Sequence, residues 1–237
     1  MATFVIVHGA WSAGWAWKKM RPLMRARGHE IFTPTQTGLG ERVHLAASSV
    51  SLSTHVEDTA AVLEFEDLSD VVLVAHSYGG MVATMVADRT PGRIRHLIYL
   101  DAFVPRDGES VAVLVGPEAA ATMRAGAAAA GAGWQVPANP LPADTPPEDV
   151  AWITPRRKMQ PVRCFEEAAR LTGAVERLPR SYVYCRKAGP GDVFRQFARR
   201  AQAESWPYRE LDSGHNPHLN MPDTLADLLE ALAGGAA

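Results

Sequence analysis

The apolar positions of this 237-residue chain fall into two alternating patterns. Phe4 to Val7, Val71 to Ala75, Ile94 to Leu100 and Ser181 to Cys185 are dense in β-branched, aromatic and aliphatic residues with little polar alternation. That pattern predicts strands buried on both faces of a sheet. His29 to Thr33 and Pro207 to Leu211 add two shorter strands. Between these runs, apolar residues recur at helical spacing. Met20, Leu23 and Met24 mark a helix within Lys18 to Arg27 that Gly28 stops. Thr54-x-x-Glu57 reads as a capping box opening a helix with Val56, Ala60 and Leu63 on one face. Met81 to Asp88 and Phe194 to Ala203 are expected helices, and Pro222 starts a last one carrying Leu225, Leu228, Leu229 and Leu232. Strands alternating with helices predict an α/β fold, with a mostly parallel central sheet covered by helices on both faces.

One stretch breaks the alternation. From about Pro105 to Pro179 the strand pattern vanishes and Ala, Gly and Pro dominate. A structureless loop of that length is uncommon inside a compact domain. The helical spacing of Phe165, Ala168, Ala169 and Leu171 predicts an inserted, mainly helical cap, with a flexible linker as the competing reading. The expected division is a core domain of residues 1–104 and 180–237 and a cap subdomain of residues 105–179.

Composition narrows the partners. Lys and Arg, 24 together, nearly balance 26 Asp and Glu, so no broad basic surface is expected for nucleic acid or anionic lipid. No run of ~18 apolar residues is present to cross a bilayer, and the N-terminus lacks the basic region of a signal peptide. Cys164 and Cys185 are too few for a disulfide framework. These features predict a cytoplasmic protein without a membrane partner. Near-neutral charge fits an uncharged, apolar substrate better than a phosphorylated one.

The main chemical signal is Ala75-His76-Ser77-Tyr78-Gly79-Gly80, between an expected strand and an expected helix. Small residues two before and two after a serine permit the sharp turn that lifts its hydroxyl above a sheet, the nucleophile elbow. A serine hydroxyl needs a base to take its proton. Ser213-Gly214-His215, after the last strand and before the last helix, supplies His215; His218 competes but has no preceding glycine. For the orienting acid, the loop Arg186-Lys187-Ala188-Gly189-Pro190-Gly191 offers no carboxylate before Asp192. Leu100-Asp101-Ala102 instead places an aspartate at the carboxyl edge of the sheet, where catalytic groups gather. Asp101 is therefore favoured and Asp192 is the alternative. A tetrahedral oxyanion needs two N–H donors, expected from Ala10 in the loop after the first strand and from Tyr78 after the nucleophile. His8 and His76 are expected to pack or hydrogen-bond. Gly38-x-Gly40 lacks a third glycine and His215-x-x-His218 lacks further ligands, so neither a cofactor nor a metal is expected.

Five segments carry a family resemblance: Phe4-Val5-Ile6-Val7-His8-Gly9-Ala10-Trp11, Gly14-Trp15-x-Trp17, Thr37-Gly38-Leu39-Gly40-Glu41-Arg42, the serine elbow, and Gly214-His215. Together they resemble the α/β-hydrolase superfamily throughout the chain. The branch is that of plant methyl-ester (methyl-salicylate) esterases, hydroxynitrile lyases and related bacterial esterases. Lyases of the branch carry a threonine after the first histidine and a lysine after the catalytic one, where this chain has Gly9 and Asn216. An acid at Asp101 is similar to that of some haloalkane dehalogenases and departs from the plant esterases.

The expected function is that of a carboxylesterase-type serine hydrolase, cleaving a small or medium hydrophobic ester through Ser77, His215, Asp101 and an acyl-enzyme. Carbamate or amide hydrolysis would use the same groups. A hydroxynitrile lyase and a ligand receptor without turnover are the alternatives. Trp11 and, from the cap, Trp134, Trp152, Met159 and Phe165 are the expected pocket residues. The expected partner is the small-molecule substrate, and a homodimer is left open.

Overall fold

Six strands form a wholly parallel sheet in the computed structural model, which describes residues 1–188 and 191–235. In chain order the strands are β1 (Thr3–Val7), β2 (Glu30–Phe32), β3 (Val71–His76), β4 (Ile94–Leu100), β5 (Gln135–Val136), β6 (Gln160–Pro161), β7 (Arg180–Cys185) and β8 (Tyr208–Leu211). The sheet runs β2-β1-β3-β4-β7-β8, while β5 and β6 pair separately and antiparallel. Each strand expected from the sequence is present. The register places Val7 opposite Ala75, and His76 opposite Leu100. The carboxyl ends of β1, β3 and β4 therefore finish side by side, at the edge where open α/β sheets build their sites.

The helices are α1 (Met20–Ala26), α2 (Leu52–Phe65), α3 (Gly79–Arg89), α4 (Val111–Leu114), α5 (Pro117–Ala130), α6 (Pro147–Ile153), α7 (Arg163–Glu166), α8 (Arg195–Ala203), α9 (Pro217–Asn220) and α10 (Pro222–Ala233). Successive strand residues point to opposite faces, which explains the unbroken apolar runs. Val5, Val7, Leu73 and Tyr99 pack with Val56, Leu63, Val82, Val86 and Phe197 of α2, α3 and α8. Phe4, Ile6, Val72, Val74 and Ile98 pack on the other face with Met20, Met24, Leu225, Leu229 and Leu232 of α1 and α10.

Two local expectations change. Helix α2 starts at Leu52, and Thr54 closes the capping box, accepting the Ser51 N–H at 3.2 Å, while Glu57 pairs with Arg89. The helical spacing at Phe165, Ala168, Ala169 and Leu171 yields only the single turn of α7, after which Glu167 is extended. The Glu167 carboxylate accepts the Ser53 N–H at 2.9 Å and its hydroxyl at 2.6 Å, tying the chain to the start of α2. Residues 105–179 hold α4 to α7 and the unforeseen β5–β6 pair. Near its end this segment is tied to α3: the Asp88 carboxylate accepts the Thr172 N–H at 2.6 Å and hydroxyl at 2.9 Å, and the Val175 N–H at 3.0 Å. Burial alone would raise the Asp88 pKa, but these donors hold it below the usual range. Among the described residues no helix is long and apolar enough to cross a membrane. Both cysteines are free and buried.

Candidate active site

The elbow is built by close backbone contact. Ser77, between β3 and α3, has φ +57°, a left-handed conformation that side chains other than glycine adopt at a cost. A Cβ on Gly79 would lie 2.1 Å from the Val7 carbonyl oxygen, and one on Gly80 would lie 1.9 Å from that of Phe103. The strand and helix therefore reach this proximity only with glycine at both positions.

His215 and Asp101 meet above the sheet edge. His215 Nδ1 lies 2.7 Å from Asp101 Oδ2, while Asp101 Oδ1 accepts the Cys185 N–H at 3.2 Å. Asp101 is buried with φ +43°, and its own N–H donates to the Val183 carbonyl at 2.7 Å. With Nδ1–H donating to the carboxylate, Nε2 is left as the proton acceptor of the imidazole. Phe194 stacks on the His215 ring at 4.8 Å and 9°, and His76 Nε2–H donates to the His215 carbonyl at 2.8 Å. Asp192 is committed elsewhere. It accepts the Tyr184 hydroxyl at 2.5 Å and the N–H groups of Phe194 and Arg195 at 3.0 and 3.2 Å, at the start of α8.

The other histidines nearby are buried and packed or hydrogen-bonded within the protein. Burial pushes the His218 pKa down to about 3, and its ring stacks on Trp17 at 4.6 Å and 11°. Burial likewise holds His8 at about 4 and His76 well below the ordinary value. His8 Nε2 accepts the Gln36 N–H at 3.1 Å, so its Nδ1–H donates to the Gly9 carbonyl at 2.9 Å.

The loop after β1 packs on the elbow: a Cβ on Gly9 would lie 3.0 Å from Ser77 Cβ. Among the described residues neither the Ala10 nor the Tyr78 N–H donates to a protein acceptor. Trp11, with φ +57°, is held from the β5–β6 pair, its N–H donating to Gln160 Oε1 and its Nε1–H to the Val136 carbonyl, both at 2.9 Å. The strand pair β5–β6 thus fixes the chain directly after Ala10. That contact was not legible in the sequence because Gln160 stands 149 residues from Trp11.

Ser77, His215, Asp101, Ala10 and Tyr78 line a cavity of about 650 Å³, together with Trp11 and Phe165. The Phe165 ring lies 5.6 Å from both Trp11 and Tyr78. Trp134, Trp152 and Met159 do not line it. Trp152 packs edge-on against Trp15 at 5.3 Å beneath Lys18, and Trp134 lies in the turn just before β5, its carbonyl accepting the Val162 N–H at 2.8 Å. Met159 is half-buried, one residue before Gln160. In their place the walls carry Phe103, Val111, Met123, Ile153 and Phe194. Nothing in local spacing distinguishes these from core residues. The Gly189-Pro190 part of the loop after β7 lies outside the described residues. Among the described residues, no group of three or more His, Cys, Asp or Glu is arranged to hold a metal ion.

Comparison with known proteins agrees with this architecture. The model of an alpha/beta hydrolase family matches residues 4–228. The carbendazim hydrolyzing esterase of Nocardioides sp. is 37% identical over 98% of this chain and 100% of its own length. Salicylic acid-binding protein 2 of Nicotiana tabacum is 36% identical over 43% of this chain and 40% of its own. The solved structure of an extracellular alpha/beta-hydrolase from a Paenibacillus species superposes with a TM-score of 0.86 at 24% identity, over 98% of this chain and 99% of that one. The chain belongs to the α/β-hydrolase family, as an esterase-type enzyme from the branch that includes these relatives.

Proposed function

We propose that the protein is a serine carboxylesterase for a small or medium, largely apolar ester bound between the core and the cap at residues 105–179. The observation carrying this reading is the 2.7 Å contact of Asp101 with His215 on the wall of the same cavity as Ser77. His215 Nε2 takes the Ser77 proton and the alkoxide attacks the ester carbonyl. The oxyanion of the tetrahedral intermediate accepts from the Ala10 and Tyr78 N–H groups. Collapse expels the alcohol, which leaves with the proton from His215. Water, deprotonated by the same nitrogen, then releases the acid from Ser77. Asp101 holds the ring and stabilises its charged form without taking the proton.

Carbamates fit the same sequence of steps, and a relative of 37% identity is named for hydrolysing carbendazim, itself a methyl carbamate. A lyase reading is disfavoured by Asn216, a neutral side chain on the cavity wall where expulsion of cyanide calls for a cation. Two free, buried cysteines support a reducing compartment, the cytoplasm. The test is a panel of 4-nitrophenyl esters, methyl esters and methyl carbamates, carbendazim included, with wild type and Ser77→Ala. Wild type is expected to turn over several members, and Ser77→Ala to lose on the order of 10³-fold or more in kcat/KM. Undiminished turnover by Ser77→Ala would overturn the mechanism, and mandelonitrile cleavage without ester hydrolysis would favour the lyase.

A further inference from the structure

Each carboxylate on the cavity wall accepts a hydrogen bond from the protein, and of the two Lys and Arg side chains there only one has a carboxylate partner among the described residues. Asp101 holds His215, Asp144 accepts the Gly214 N–H at 2.6 Å, Asp192 holds the Tyr184 hydroxyl, and Lys187 lies 3.2 Å from Asp212. Arg157, shortly after α6 in the cap, lines the same cavity half-buried, with no carboxylate within 4 Å among the described residues. Its guanidinium lies 5.8 Å over the Trp11 ring and donates through one nitrogen to the Asn139 carbonyl. Burial pushes its pKa down, with no acidic neighbour acting against it. A guanidinium remains charged at any working pH, and taking it partly out of water is unfavourable unless an ion pair compensates. The remaining N–H groups form a fork whose natural complement is a carboxylate.

We infer that Arg157 is a substrate-binding residue that pairs with a carboxylate on the part of the ester remote from the reacting carbonyl. The substrate class is then an apolar ester bearing one anionic group. Trp11 directly follows Ala10, so a substrate whose carbonyl oxygen sits at the Ala10 N–H can extend along the Trp11 ring towards the guanidinium. Selection by one cation without a carboxylate partner inside the cavity requires no basic surface. The inference rests on the reading of Ser77 as the nucleophile.

Two substrate pairs differ mainly in charge: 4-acetoxybenzoate with 4-acetylphenyl acetate, and monomethyl adipate with methyl hexanoate. For at least one pair, Arg157→Gln is expected to lower the charged-to-neutral ratio of kcat/KM about tenfold or more, with Arg157→Lys retaining part of it. An unchanged ratio in both pairs overturns the proposal, including the case in which both members lose activity equally through a structural effect. A binding measurement separates this result from failure of the esterase reading. By calorimetry, Ser77→Ala is expected to bind the charged member of that pair about tenfold or more tightly than Ser77→Ala/Arg157→Gln. That difference stands even if Ser77 is not the nucleophile. Equal affinity, or no binding to Ser77→Ala at millimolar ligand, counts against Arg157 itself.

Discussion

At the scale of single residues, Asp101 and Asp192 differ in what their carboxylates already hold. One oxygen of Asp101 meets His215 and the other takes a backbone N–H, whereas both oxygens of Asp192 are used by Tyr184 and the first turn of α8. Asp101→Asn is therefore expected to lower kcat on the order of 10³- to 10⁴-fold, through loss of the imidazole tautomer that leaves Nε2 free. Asp192→Asn is expected to register mainly as a lower Tm, from a weakened helix start costing about 1 kcal/mol. Steady-state kinetics and thermal melts on both variants check this, and a large kcat loss confined to Asp192→Asn would reverse the roles. Gln160 offers a subtler test. Gln160→Leu removes the acceptor of the Trp11 N–H and leaves a strained residue unsupported beside Ala10. Its kcat is expected to fall roughly 10- to 100-fold with a smaller change in KM, and Gln160→Glu, which keeps the acceptor, to recover part of it. Equal kcat for Leu and wild type would remove Gln160 from the positioning of the oxyanion loop. Ser77 and His215 stood out as candidates in the sequence because the turn around each makes local demands on sequence. Gln160 and Phe194 were not, because only the folded chain brings them to the site.

At the scale of elements, the elbow depends on three pieces of backbone approaching within van der Waals contact. A Cβ on Gly80 would meet the Phe103 carbonyl oxygen at 1.9 Å, so α3 and the chain following β4 would have to separate. Gly80→Ala is expected to cost about 2 kcal/mol or more and to lower Tm by at least about 5 °C. Gly92→Ala, where a Cβ would meet nothing within 4 Å, is the control and is expected to leave Tm nearly unchanged. Equal melting of the two variants would contradict the packing described for the elbow. The six strands of the sheet were legible because burial on both faces leaves few polar positions to confuse their pattern. The single turn of α7 was not, since the spacing from Phe165 to Leu171 suits a helix and a distant contact from Glu167 to Ser53 stops it. The β5–β6 pair has only two residues per strand, too few for any periodicity to show.

At the scale of the whole molecule, five buried histidines link stability to pH. Burial lowers His8 and His55 to about 4 and His218 to about 3, holds His76 well below its ordinary 6.5, and lowers His96 as well. Below pH 6.5 the unfolded chain binds protons at these positions while the folded chain does not, so acid favours unfolding. Above pH 6.5 both states are neutral there and the contribution vanishes. Tm is expected to fall steadily as pH drops from about 6.5 to 4, with His8, His55 and His218 each contributing on the order of 1–3 kcal/mol across that window. His218→Phe, which keeps the stack on Trp17, is expected to flatten the dependence. A Tm that holds steady or rises on acidification would contradict this. The layered fold and the interruption at residues 105–179 were visible in the hydrophobic pattern, whereas the cavity was not. Its walls come from both sides of that interruption and depend on how the cap returns through Asp88 to the core. The central claim is that Ser77 is the nucleophile of this cavity. Treatment with a fluorophosphonate, followed by mass spectrometry of the intact protein and its peptides, tests it most directly. A single adduct is expected on the peptide containing Ser77, forming in step with loss of ester hydrolysis and failing to form in His215→Ala. Full turnover by protein carrying that adduct, or inactivation with the adduct on another residue, would contradict it.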